Sequence, residues 1–181
     1  MTALLSLHAA LARRLTEAAP GLLPLLARVV FAGVFLVYFW SSARTKLGPG
    51  PLGFLVPSDG AYVQIFPRAA EAAGYDFASF GLYEQAVTVA GMWAEFLLPA
   101  LVVLGLFARL ASLGMIGFVL VQTATDVLGH GVPLGRWFDT DPLALADARA
   151  LWVLLLLVPV LLGPGALSVD RFLGIERAPM R

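Results

Sequence analysis

The chain contains no cysteine and only two histidines. The lack of cysteine excludes disulfides, thiolate catalysis, thiolate metal sites and iron–sulfur ligation. Two histidines are too few for a metal or haem centre built from histidine alone. The sequence also lacks the glycine-rich nucleotide-binding loops and the short motifs of hydrolases and metalloproteases. We therefore predict no catalytic residue and no metal site, and any catalysis would depend on a bound cofactor.

Charged side chains are also scarce, because they make up 13% of the 181 residues whereas 60% are hydrophobic. Soluble domains are about 45–50% apolar and about 25% charged, so the composition predicts an integral membrane protein in contact with lipid. The basic and acidic residues balance to a formal net charge of zero, which excludes nucleic acid as a partner.

Four apolar runs are each close to the ~20 residues that a helix needs to cross a hydrocarbon core of ~30 Å. Backbone groups in lipid must be hydrogen-bonded within the segment, so these runs are predicted to be helices rather than strands. The sequence therefore predicts an all-α protein, a single membrane domain over residues 1–181 built as a four-helix transmembrane bundle. The predicted spanning helices cover residues 22–46, 84–107, 110–128 and 146–163.

The segments outside these helices differ in character. Residues 1–20 carry leucines at helical spacing, with Arg13 and Arg14 off that row, which is typical of an amphipathic interfacial helix. Two long loops follow the first and third spanning helices, over residues 47–83 and 129–145. The first of these loops is expected to contain one or two short helices.

The distribution of charge predicts the orientation. Arginines, among them Arg109, Arg177 and Arg181, concentrate on the side that holds both termini and the turn between the second and third helices. The opposite side carries most of the acidic residues, among them Asp139 and Asp141. The positive-inside rule therefore places both termini in the cytoplasm and both long loops on the outer face.

The second spanning helix contains a carboxylate, Glu95, inside an apolar run. Such a charge costs roughly 2.5–3.5 kcal/mol on insertion scales, so a chain that keeps one usually pairs it, protonates it or uses it. Gln85, Thr88 and Glu95 are separated by helical steps and share one face of this helix. Glu95 is therefore the centre of any functional site that the sequence predicts.

Polar residues of the first and third helices lie in the same outer half of the bilayer. We predict that the polar faces line one amphipathic cavity, open to the outside, and a quinone headgroup fits that description. Arg44 or Lys46 is expected to pair with Glu95 or with Asp126, because a nearby cation keeps a carboxylate ionised. The candidate binding residues are Tyr38, Trp40, Arg44, Gln85, Thr88, Trp93, Glu95, Gln122, Asp126 and His130.

The same residues have a structural interpretation that the sequence leaves open. A buried ionic network around Glu95 could serve only to fix helix packing, and the near-interface positions of Asp126 and His130 favour that interpretation. Trp40 and Trp93 could anchor helices at the membrane surface, as interfacial aromatic residues do. The glycines Gly105, Gly114 and Gly117 are expected to be helix-packing contacts.

Two stretches resemble the signature of the DoxX family of four-helix membrane proteins. In AGMWAEFLLPALVVLGLFARLASLGM, a carboxylate at Glu95 precedes an LGLxxRLA motif that contains Gly105 and Arg109. The stretch LLGPGALSVDRFLG resembles the closing motif through Gly163, Gly165, Leu167, Ser168, Asp170 and Arg171. The resemblance extends over most of residues 25–174. Many members have a histidine or glycine near residues 38–42, and this chain departs from that pattern.

The resemblance implies a four-helix bundle in the bacterial inner membrane. The family name derives from a subunit associated with thiosulfate:quinone oxidoreduction, and other members are linked to oxidative- or thiol-stress complexes. It therefore implies a subunit or accessory of a respiratory or stress-linked redox system, with quinone as the cofactor and a membrane complex as the partner. Two alternatives stay open. They are a non-catalytic assembly or scaffold subunit of a larger complex, and a small proton-coupled carrier in which Glu95 titrates.

Overall fold

The computed structural model describes residues 2–137 and 144–176. The helices are α1 (Thr2–Lys46), α2 (Asp59–Ile65), α3 (Pro67–Ala72), α4 (Leu82–Leu104), α5 (Ala108–Gly129), α6 (Leu145–Leu162) and α7 (Val169–Phe172). Four of them, α1, α4, α5 and α6, are long and apolar enough to cross a membrane, which confirms the predicted all-α class and its four spanning helices. Four residues of the charge argument lie outside the described residues: Asp139, Asp141, Arg177 and Arg181.

The four long helices form an up-and-down bundle. Each packs against its neighbours in sequence, and α6 closes the ring against α1. Phe31, Phe35 and Phe39 are buried at four-residue steps on α1, a spacing that keeps side chains on one helix face. They share a core with Met115 of α5 and Leu156 of α6. This core fixes the rotation of α1, and with it the direction of the polar residues that follow.

The first helix joins the predicted interfacial segment and the first span into one helix of 45 residues. At about 1.5 Å per residue it measures roughly 70 Å, about twice the thickness of the hydrocarbon core. Among the described residues, the first hydrogen bond from α1 to another element is at Gly21, whose carbonyl oxygen accepts from the Ala166 N–H at 2.9 Å. The leucines before it are exposed, namely Leu4, Leu7, Leu11 and Leu15. Their position on a leaflet surface stays a prediction.

Two of the helices that carry candidate residues contain a π-helical turn, at Ala32–Leu36 in α1 and at Thr125–Gly129 in α5. A π-helical turn adds a residue to one turn and so re-aims the side chains beyond it, and such turns are frequent at functional sites. The candidate residues of α1 follow its π turn, and Asp126 lies within that of α5.

The bundle has two ends, which we name after a charged residue at each. The Lys46 end carries α2 and α3, the short helices expected in the first long loop. There Tyr62 is buried against Phe77 and Phe80, with ring centroids 5.5 and 5.4 Å away. The Arg109 end carries the short turn between α4 and α5 and the segment after α6.

A buried arginine joins three segments at the Arg109 end. Arg28 of α1 donates from Nε to the carbonyl of Val102 at 3.1 Å and from Nη2 to that of Val103 at 2.7 Å. Its Nη1 donates to the carbonyl of Pro164 at 2.9 Å. Carbonyls at the end of a helix lack intrahelical donors, so this side chain satisfies the end of α4. Arg28 therefore belongs to the interior of the protein and adds no charge to a surface loop.

A buried aspartate satisfies the opposite kind of helix end. The carboxylate of Asp170 accepts hydrogen bonds from the backbone N–H groups of Phe107 at 2.7 Å and Ala108 at 2.8 Å, where α5 begins. The first N–H groups of a helix have no intrahelical acceptor and carry partial positive charge, which an anion stabilises. The segment after α6 is thereby fastened to the α4–α5 turn.

We expect Gly105→Ala to lower the free energy of unfolding by about 1–3 kcal/mol, the usual cost of overpacking. Gly105 has a φ of +65°, and a Cβ there would lie 2.7 Å from both Arg28 Cζ and Ser168 Cβ. The matched control is Gly33→Ala, since a Cβ on that glycine of α1 meets no atom within 4 Å. Circular dichroism of the two variants during heating in detergent micelles measures the difference. Equal melting temperatures would contradict the expectation.

Candidate functional site

Glu95 forms a buried ion pair with Lys46 between α4 and α1. Lys46 Nζ lies 3.0 Å from Oε1 and 2.9 Å from Oε2 of the carboxylate, and the two side chains are 5% and 6% exposed. Ser42, one turn earlier on α1, accepts a hydrogen bond from Nζ at 2.8 Å and donates one to Oε1 at 3.4 Å. Of the two cations that the sequence offered as partners for Glu95, the structure selects Lys46, and Arg44 is exposed.

A cavity of about 550 Å³ lies beside this ion pair, between α4 and α5. This volume is within the range of about 300–1,000 Å³ found for sites that bind small molecules. Its apolar wall includes Val87 and Leu98 of α4 and Phe118 and Val121 of α5. The site is therefore amphipathic, with a charged pair on one side and aliphatic and aromatic carbon on the other.

The cavity brings together half of the candidate residues. Those that line it are Tyr38, Glu95, Gln122, Asp126 and His130. Those that do not are Trp40, Arg44, Gln85, Thr88 and Trp93. The two tryptophans instead donate from Nε1 to backbone carbonyls, Trp40 to Phe96 at 3.1 Å and Trp93 to Phe54 at 2.9 Å. These contacts join α1 to α4 and α4 to the loop before α2, and the anchoring of the tryptophans at the membrane surface stays a prediction.

Gln122, which lines the cavity, has one buried polar atom without a hydrogen-bond partner in the part of the chain that the structure describes. Its Nε2 donates to the Tyr38 hydroxyl at 3.0 Å, while its buried Oε1 has no hydrogen-bond partner among the described residues. If the side-chain amide were rotated by 180°, Nε2 rather than Oε1 would be without a hydrogen-bond partner among the same residues. Because buried polar atoms are rarely unsatisfied, a hydrogen-bond donor is expected beside this oxygen.

A second ion pair lies at the cavity rim. Arg149 of α6 donates from Nη2 to Asp126 Oδ2 at 2.9 Å, and its guanidinium carbon lies 4.0 Å from the centroid of the Trp152 ring. The cation expected near Asp126 is therefore present, but it comes from α6 rather than from α1. Arg149 is 9% exposed and belongs to the bundle interior. From the sequence it would be expected on the surface, because it lies near the start of a helix.

The Lys46 end of the cavity is covered by α2, which contributes Gln64 and Ile65 to its wall. His130 Nε2 lies 3.0 Å from the carbonyl oxygen of Gln64 and holds α2 against the end of α5. A Cβ on Gly91 would be 3.4 Å from Ile65 Cδ1, so α2 also touches α4. This cover could not be predicted from the sequence, because nothing local in a loop helix indicates which spanning helices it will contact.

One of the two α5 glycines that were expected to be packing contacts, Gly117, has different surroundings. Gly114 and Gly117 both line the cavity, and a Cβ on Gly117 would meet no atom within 4 Å. A Cβ on Gly114 would lie 3.0 Å from Leu98 Cδ2, so Gly114 does touch α4. Gly105 lies at the Arg109 end, with the positive φ described above. The absence of a side chain at Gly117 thus creates open space rather than close helix contact.

The arrangement can hold an uncharged amphipathic molecule. Glu95 accepts hydrogen bonds, and the Tyr38 hydroxyl, which accepts from Gln122, keeps its own hydrogen for a ligand. Within residues 2–137 and 144–176, no three acidic or histidine side chains cluster closely enough to hold a metal ion. The chemistry available to the described residues is therefore polar recognition, and the transfer of protons between a ligand and the carboxylate.

Fold and site together define an integral membrane protein of four spanning helices with a buried ion pair and a cavity inside the bundle. The family model described as DoxX matches residues 23–131, which is more than half of the chain. The chain belongs to the DoxX family. No curated protein and no solved structure matches it.

Most of the motif residues that carry the family resemblance lie at the Arg109 end, far along the bundle from the cavity. Gly105 and Asp170 shape and fasten the α4–α5 turn, and Arg109 bonds Glu176 Oε1 from Nε at 2.6 Å. Glu95 of this signature lines the cavity, and so does Lys46, through which the first helix resembles the family more loosely. Most residues of the family signature therefore stabilise the bundle, and Glu95 belongs both to the signature and to the candidate site.

Proposed function

We propose that this protein binds a quinone headgroup beside Lys46 and Glu95, as a subunit or accessory of a respiratory or stress-linked redox system in the bacterial inner membrane. The observation that supports this best is the cavity of about 550 Å³, which joins an apolar wall to the ion pair and to the unsatisfied Oε1 of Gln122. Membership in the DoxX family supports the redox assignment. The orientation with both termini in the cytoplasm is part of the same proposal.

The polar groups suit both redox states of such a ligand. A quinone carbonyl accepts hydrogen bonds, and the Tyr38 hydroxyl offers one into the cavity. A quinol hydroxyl donates hydrogen bonds, and Glu95 and Gln122 Oε1 can accept them. Phe118 provides an aromatic face for the ring. The protein would thus bind and orient the quinone, while electrons come from a partner in the redox complex.

The first test is mass spectrometry of the protein purified gently from its native membrane, with quinones and co-purifying proteins measured together. We expect quinone at a near-stoichiometric amount in wild type and its loss in Glu95→Gln. The control Glu84→Gln changes a carboxylate on the same helix that accepts from the Gly81 N–H at 3.0 Å, a bond that glutamine can also make. Wild-type protein without quinone, or equal quinone in both variants, would overturn the proposal.

A second candidate is a scaffold subunit that holds a partner protein. The exposed leucine row of α1, which extends beyond the first hydrogen bond to the rest of the bundle, is the observation that favours it. A stoichiometric partner without quinone in the same mass spectra would support this alternative. Substituting Leu7 and Leu11 with serine would then release the partner, whereas Glu95→Gln would not.

A further inference from the structure

The cavity reaches the surface of the bundle between α4 and α5, at a level where the bundle faces lipid. Ala90 of α4 and Gly114, Gly117 and Val121 of α5 line the cavity and are also exposed. All four lie within helices apolar and long enough to span a membrane. In a bilayer such a surface is covered by acyl chains rather than by water. We call this opening the α4–α5 gap.

Small side chains keep the α4–α5 gap open. A Cβ on Gly117 would meet nothing within 4 Å, and Ala90 faces the same space from α4. Leu98 closes the gap toward the Arg109 end, since its Cδ2 would lie 3.0 Å from a Cβ on Gly114. Toward the Lys46 end the wall becomes polar, with Gln122 and Asp126. The cavity therefore has a polar end under α2 and an apolar side that opens on lipid.

We propose that a membrane-dissolved lipophile enters through the α4–α5 gap, places its polar head beside Lys46 and Glu95, and leaves its hydrocarbon chain in the bilayer. A quinone as the head rests on the proposed function, whereas the lateral route rests on the gap alone. The ligand class is then a long-chain amphiphile, and a water-soluble ring without a chain is excluded as the natural ligand.

Two physical arguments support this route. A cavity of about 550 Å³ is of the size that holds a drug-sized molecule, so a long chain has to remain outside. A chain that stays in lipid also keeps its apolar surroundings during binding, and only the head exchanges its environment. Entry from the Lys46 end would instead require α2 to move, because His130 and Ile65 hold it against α5 and α4.

The test uses the full-length protein in phosphatidylcholine vesicles with a long-chain fatty alcohol that carries a photoreactive diazirine on a carbon close to its hydroxyl group, so that the reactive carbon enters the cavity with the head. After illumination, peptide mapping should find label at Glu95 and Leu98 in wild type. In Gly117→Leu this label should fall by roughly tenfold, because a close-packed side chain in the gap leaves no path for the chain. The control is Gly33→Leu, on an exposed glycine of α1 that also has no atom within 4 Å of its Cβ and does not line the cavity.

Each outcome decides the matter. Equal labelling of Glu95 and Leu98 in Gly117→Leu and wild type, or no label at either residue in wild type, would overturn the lateral route. If Gly117→Leu does not fold, Ala90→Leu fills the same gap from α4 and carries the test. A quinone with an isoprenoid chain should compete with the label. Labelling that resists this quinone would keep the lateral route and overturn the proposed quinone site.

Discussion

The variant Glu95→Leu should fold with about 3–5 kcal/mol less stability than wild type, because it leaves the ammonium of Lys46 buried without a counterion. The leucine removes both carboxylate oxygens, which lie 3.0 and 2.9 Å from Lys46 Nζ. Insertion should persist, since the substitution makes the helix more apolar. Ligand or partner binding should be lost. Unfolding by dodecyl sulfate in mixed micelles measures the stability, and carbonate extraction of membranes checks insertion.

The double variant Lys46→Met with Glu95→Leu separates charge balance from function. Removing both charges leaves no buried ion unpaired, so most of the lost stability should return. Quinone binding should not return, because the charged pair that lines the cavity is gone. A double variant as unstable as Glu95→Leu would show that the unpaired ammonium is not the cause. A double variant that binds quinone normally would remove the ion pair from the site.

The four-helix fold could be predicted from the sequence. Bilayer thickness and the need to satisfy backbone hydrogen bonds in lipid leave few possible structures for four long apolar runs. The join at Gly21 was harder to predict. The sequence predicts a boundary between residues 20 and 22, whereas Pro20 and Pro24 lie inside one continuous helix in the structure. Proline near a predicted helix start is compatible with either an end or a continuation, and tertiary contacts such as the Gly21–Ala166 hydrogen bond decide between them.

The central residues of the site could be predicted from the sequence, whereas several of the residues around them could not. A carboxylate inside an apolar run identified Glu95, and a cation one helix away made Lys46 a named partner. Trp40 and Trp93 failed to reach the cavity because helical periodicity alone does not fix how each helix is rotated in the bundle. The π-helical turn Ala32–Leu36 further changes that rotation for the residues after it. Arg149 was missed as the partner of Asp126 because pairing across α5 and α6 depends on packing.

Substituting the buried Asp170 at the Arg109 end is expected to lower the free energy of unfolding strongly, although this residue lies far from the cavity. Asp170 is 1% exposed and accepts two backbone hydrogen bonds at the start of α5. Hydrogen bonds to a charged group contribute about 1.5–3 kcal/mol each, so Asp170→Ala is expected to cost at least about 3 kcal/mol. The same unfolding measurement in mixed micelles applies, and quinone binding per folded molecule should remain at the wild-type level.

A second carboxylate on the same segment provides the control. Glu176 pairs with Arg109 at 2.6 Å, but these side chains are 28% and 43% exposed. Exposed pairs contribute about 0–1 kcal/mol, so Glu176→Ala should change the stability much less than Asp170→Ala. Equal losses would mean that helix capping by Asp170 adds nothing beyond an ordinary surface charge. A selective loss of quinone binding in folded Asp170→Ala would mean that the two ends of the bundle are coupled, since a capping residue should affect the folded fraction alone.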